Sequence, residues 1–238
     1  WQGVSFVEVW RQYAHYYLGV VCYERNELAA ATHHWQEVEK SPPQLNSRAY
    51  HESLLGLALL AQGRGSFTEA LAYAQASNEF ATELGNAAAL ASSDALITRL
   101  ALRNGQLVES LRRAAAIDTT ANLGTSHWLE IPPLTRIRVL LASTAQDALT
   151  TALQIAEDCL RHAEEAHNTR QIIQISALHA LVLHALRRQT AAFRVLERAL
   201  TLAESHGFVR TFLDLDAPMA MLLRAFATQR GASTYLQS

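Results

Sequence analysis

Lysine is almost missing from this chain: of its 20 basic residues, only Lys40 is not an arginine. Lys40 follows Glu39 and precedes Ser41-Pro42-Pro43, so there is no Gly-x-x-x-x-Gly-Lys phosphate loop and no Walker-type nucleotide site. Cysteine is as sparse. Cys22 and Cys159 stand far apart and in no metal-binding spacing, which reads as two buried thiols in a reducing compartment; a lone disulfide is the alternative. With 10 glycines and 5 prolines there is little material for a turn-rich protein. The longest apolar run, Leu54 to Ala61, is far too short to span a bilayer, and no signal peptide is recognisable. A net charge of −2 lacks the basic surplus that nucleic-acid binding usually needs.

Half of the 238 residues are hydrophobic, enough for a sizeable interior. Alanine and leucine dominate, and valine and isoleucine are too scattered for a sheet. Beginning at Trp1 without a methionine, the chain reads as part of a longer protein.

A small residue recurs about every 40 positions near the start of a second helix: Ala31, Ala70, Ser110, Ala152 and Ala192. About a dozen residues earlier, most have a small or short companion: Gly19, Gly56, Thr98 and Ala180. Small residues at a helix crossing let two backbones approach to about 8–10 Å. The pattern predicts an all-α fold, a right-handed superhelix of about five stacked helical hairpins in a single domain over 1–238. The hairpins fall at about 5–43, 47–85, 87–123, 127–167 and 169–206, followed by a terminal helix at about 217–229. The polar stretch Asp118 to Ser126 is the most loop-like segment. Asp216 is placed as N-cap of the terminal helix, whose apolar stripe is Met219, Leu222, Leu223 and Phe226.

The first hairpin resembles a tetratricopeptide repeat. Leu18-Gly19, Ala31, Trp35 and Pro43 stand at that repeat's Leu-Gly, small, large aromatic and closing proline positions. Thr98 and Ser110 depart from the small pair in the third repeat, and the period of about 40 exceeds the usual 34, so HEAT-like stacking stays open on spacing alone. A wider resemblance covers nearly the whole chain. His15-Tyr16-Tyr17-Leu18-Gly19 through Tyr23-Glu24-Arg25-Asn26-Glu27-Leu28 is similar to the central region of MalT-like, LuxR-type bacterial regulators. So are Gly56-Leu57-Ala58-Leu59 with Glu83-Leu84-Gly85-Asn86, Leu196 to Leu200, and the more specific Gly207-Phe208-Val209-Arg210-Thr211-Phe212-Leu213-Asp214 before Pro218-Met219.

The resemblance implies the sensor part of a protein that elsewhere carries an ATPase module and a DNA-binding helix-turn-helix. It implies a cytoplasmic location, an inducer or regulatory protein as partner, and oligomerisation of the full-length regulator. This region itself would touch neither DNA nor membrane and hold no cofactor. Gly231 to Ser238 is too short to be the DNA-binding module.

Nothing in the residues points to catalysis. His162-Ala-Glu-Glu-Ala-His167 looks like a zinc-protease helix, but its histidines are five apart, about 140° around the helix, where that motif needs four. His179 and His184 fail by the same spacing, His33 and His34 are adjacent and point apart, and the histidines read as scattered, with no metal site. Carboxylates are interleaved with arginine in the manner of ordinary helix surfaces. A binding function is expected instead, on the face made by the first helix of each hairpin. The repeat register puts Tyr13, Tyr16, Tyr23, Tyr50, Arg99 and Arg103 there. Aromatic rings beside guanidinium groups suit sugars, acidic peptides or phosphorylated small molecules. The alternative for these six is tyrosine packing between hairpins and solvated arginine. A general tetratricopeptide scaffold without a transcriptional role is the alternative function.

Overall fold

The computed structural model describes residues 6–119 and 129–230. The expected hairpin limits at 5, 123 and 127, most of the polar stretch and Gly231 to Ser238 lie outside the described residues. Among those described, every regular element is helical: α1 (Phe6–Glu24), α2 (Leu28–Glu39), a 3-10 turn (Pro43–Leu45), α3 (Ser47–Gly63), α4 (Phe67–Glu83), α5 (Ala87–Arg103), α6 (Leu107–Ala115), α7 (Pro132–Ser143), α8 (Gln146–Glu165), α9 (Thr169–Ala185), α10 (Gln189–His206), α11 (Arg210–Leu213) and α12 (Asp216–Arg230). No helix among the described residues is long and apolar enough to cross a membrane. The chain forms two compact units, the first running to Ile117 and resuming through Thr135, the second holding the residues from Arg136 onward.

In the first unit α1 packs on α2, α3 on α4, and α5 on α6, while α3 also touches both α1 and α5, so the first helices form a layer. The recurring small residues lie at these crossings: Ala31, Ala70 and Ser110 are fully buried, as are Ala152 and Ala192 in the second unit. Trp35 shows why they must be small. Its indole is fully buried, and a Cβ added to Gly19 on α1 or to Gly56 on α3 would fall less than 3.0 Å from ring atoms. The indole N–H donates to the Tyr16 carbonyl at 3.3 Å, which fixes the ring in this slot. Asparagine caps start three first helices: the side chains of Asn46, Asn86 and Asn168 each accept from the backbone N–H three residues on, at 3.1 Å. Left-handed residues let the chain reverse after most helices, with glycine at 65, 85, 105 and 207 but Asn26, Thr144, His167 and Arg187 at the others.

In the second unit α9 packs against both α8 and α10, and α11 and α12 close on α9. The tail motif has a packing role here. Gly207 (φ 70°) stops α10 in the left-handed conformation, Phe212 is buried, and Arg210 Nε meets Asp214 Oδ1 at 2.7 Å, so the chain turns into α12. Asp216 is the first helical residue of α12, with a φ of 52°, rather than a residue ahead of it. Met219, Leu222 and Phe226 are buried, Phe226 edge-on to Phe193 at 5.4 Å, while Leu223 is only half-buried.

His179, on α9, is buried with neither ring nitrogen hydrogen-bonded among the described residues, and burial lowers its pKa from 6.5. The unfolded chain therefore takes up a proton as pH falls through about 6.5 while the folded chain resists, so folding weakens below that pH. His179→Leu is expected to lose less stability than the unsubstituted chain between about pH 7.5 and about pH 5.5. Urea denaturation at the two pH values checks this, and equal losses would refute it.

A candidate binding face on α3 and α5

A buried polar arrangement in the first unit lies on the first helices of hairpins two and three. Ser92 and Ser93 are adjacent on α5, both fully buried, and serve different neighbours. His51 Nε2, on α3, lies 3.0 Å from Ser93 Oγ and 3.0 Å from the Ala89 carbonyl, and Ser77 of α4 donates to the His51 carbonyl at 3.3 Å. Because a carbonyl only accepts, this geometry calls for the proton on Nε2. The network ties α3, α4 and α5 together below the face.

Above it the chain returns. Leu129, Glu130 and Ile131, just ahead of α7, are all buried, and Leu129 joins the hydrophobic core of the first unit. The Leu129 N–H donates to Glu52 Oε2 at 3.3 Å, and Ser92 Oγ donates to the Glu130 carbonyl at 2.8 Å. Arg99 Nη1 donates to Glu130 Oε2 at 2.9 Å, and Thr135 Oγ1 donates to Glu130 Oε1. Ser92 and Arg99 are seven apart, two helical turns, and so share one stripe of α5. Pro132-Pro133 fit the first turn of α7, where their missing N–H groups have no intrahelical partner, and the Ile131 carbonyl accepts from the Leu134 N–H at 2.9 Å to open the helix.

A small cavity of about 100 Å³ adjoins this contact, lined by Ser47, Arg48, His51 and Glu52 of α3, Leu84, and Asn86, Ala88 and Ala89. It has room for about three waters, whereas pockets for drug-sized ligands run to about 300 Å³ or more.

The six residues nominated from the repeat register fall into three settings. Tyr16 and Tyr23 are interior, 0% and 3% exposed, and Tyr23 packs on Trp35 at a ring distance of 5.6 Å. They do not face solvent, because they lie three before and four after Gly19, on the α1 face turned to α2. Tyr13 is half-buried in a ladder of rings along α1, 6.0 Å from Trp10 and stacked on Tyr17 at 6.1 Å. Tyr50 packs edge-on to Phe80 at 4.9 Å; burial, then Glu39, raises its pKa. Arg99 is buried against Glu130, and Arg103, one turn on, is exposed.

Sequence reasoning missed Glu130, Glu52 and Ser92. It also took the histidines for scattered, and that needs correcting. His15, His33 and His34 gather where α1 meets α2, with His15 Nδ1 3.1 Å from His34 Nδ1, because an antiparallel hairpin brings positions nineteen apart side by side. Burial and the two neighbouring histidines lower the His34 pKa. Among the described residues no group of three or more histidine, cysteine or carboxylate side chains is arranged to hold a metal ion. Both cysteines are free, and burial pushes the Cys159 thiol up to about 12.

A family model described as the MalT-like TPR region matches residues 5–229. No curated protein matches the chain.

Proposed function

The chain belongs to the MalT-like tetratricopeptide family, and from that membership we propose that it is the effector- or partner-binding sensor region of a bacterial, cytoplasmic LuxR-type transcription regulator. The family match over nearly the whole length carries this reading. The layer of first helices supports it, because a buried arginine, a buried serine and a buried glutamate on α3 and α5 meet a segment that is not part of their helices. In this reading the region binds without turning anything over. An inducer or regulatory protein shifts the complete regulator toward its active, oligomeric state by favouring one arrangement of the array, and the ATPase and helix-turn-helix modules act on that shift.

Titration calorimetry of this chain with compounds that switch a reporter controlled by the complete regulator tests the proposal. Each active inducer is expected to bind the chain with a dissociation constant near its half-maximal dose. An inducer that switches the reporter yet leaves the chain unbound would overturn it.

A further inference from the structure

We infer that the α3–α5 face is a recognition site for a peptide segment bearing a carboxylate between apolar residues, and that Leu129-Glu130-Ile131 is its built-in occupant. Three features separate this contact from ordinary loop packing. The segment is read through its backbone as well as its side chain: Glu52 takes the Leu129 N–H, and Ser92 gives to the Glu130 carbonyl. Both bonds go to backbone atoms and so do not depend on a particular side chain. The carboxylate then meets Arg99, with side-chain exposures of 5% for the arginine and 0% for the glutamate, so the recognition is made out of water. An apolar side chain, Leu129, seats beside it in the core.

The groups that bond the segment, Glu52, Ser92 and Arg99, sit on helices α3 and α5. A second peptide of the same chemistry would therefore find the same donors and acceptors. An isolated buried ion pair contributes little net stability against burial of two apolar groups, but leaving either charge alone is costly. The face is thus poorly suited to standing empty and well suited to exchanging one carboxylate for another. The segment reduces the apparent affinity for a competing peptide by the fraction of molecules whose site is open.

This deepens the partner-binding reading above and rests on it, but it can fail separately, since an inducer could still bind elsewhere on the chain. The test uses the whole chain and a capped synthetic peptide with the sequence of residues 126–135, in a glutamate form and in a form with glutamine at the position of Glu130. Two variants weaken the built-in occupant and leave the site intact: Glu130→Gln, and Leu129→Ala, which keeps the charge pair and serves if Glu130→Gln does not fold. Circular dichroism establishes folding, and fluorescence anisotropy reads peptide binding. The expected result is that a folded variant binds the glutamate peptide at least about tenfold tighter than the unsubstituted chain does. The glutamine peptide is expected to bind about tenfold more weakly, and Arg99→Gln in the Leu129→Ala background to abolish the difference between peptides. Equal binding of the two peptides, or no gain in either variant, would overturn the inference. So would dimerisation of the variants by light scattering with no peptide uptake, because the occupant would then be a second copy of this chain.

Discussion

Alanine at Gly19 or Gly56 is expected to destabilise the first unit by about 3 kcal/mol, the upper part of the range for overpacking a filled core. The sign is unusual for a glycine inside a helix, where alanine normally gains about 0.5–1 kcal/mol. Here the added methyl has nowhere to go. At both positions it would meet the Trp35 ring at less than 3.0 Å, and the ring has a glycine against it from α1 and another from α3. Moving away from one drives it into the other, and its N–H bond to the Tyr16 carbonyl resists rotation. Trp35→Ala should cost about 3–5 kcal/mol through the cavity it leaves. In a Trp35→Leu background the obstruction is gone, so Gly19→Ala should become neutral or stabilising, giving a coupling of about 3 kcal/mol between the two sites. Urea denaturation of the four proteins measures that cycle. If Gly19→Ala costs the same in both backgrounds, the clash with Trp35 is not what keeps the glycine.

The same residues show what the sequence could reveal. The crossings were legible because a steric requirement repeats: Ala31, Ala70, Ser110, Ala152 and Ala192 are all fully buried, including Ala152 in the least regular hairpin. The tail motif was legible too, since Gly207, the Arg210–Asp214 pair and Phe212 act over only a few residues. Which face of α1 carries Tyr16 and Tyr23 was also readable, from their helical spacing to Gly19, but the family register pointed the other way. Glu130 was not readable. Its partners Ser92 and Arg99 lie 38 and 31 residues away, and the Leu129 N–H reaches Glu52 across 77. Such contacts leave no period in the sequence, and a glutamate beside a polar, loop-like stretch looks like any solvated charge. The histidines of α1 and α2 were hidden for the same reason, since only the hairpin's register brings His15 to His34.

Breaking the Arg99–Glu130 pair from either side is expected to cost about 3–5 kcal/mol, because each single change takes from a buried charge the opposite charge it meets at 2.9 Å. Arg99→Gln takes the guanidinium away from the Glu130 carboxylate, whose other oxygen accepts from the Thr135 hydroxyl. Glu130→Gln takes the carboxylate away from a guanidinium in a site where Arg99 is 4% exposed. The double replacement Arg99→Met with Glu130→Leu behaves differently. It removes both desolvation costs along with the attraction, and should return to within about 1 kcal/mol of the unsubstituted chain. Thermal and urea unfolding of the four proteins separate this from a surface pair, whose removal changes little and whose contribution fades with salt. The buried pair should resist added salt. If the double variant is as unstable as the sum of the singles, the charges act independently of each other, and the segment is held by Leu129 and its backbone bonds alone. If the double variant recovers, the pair contributes selectivity more than stability: the α3–α5 face is built to prefer a carboxylate at that point, and the array would fold nearly as well without one.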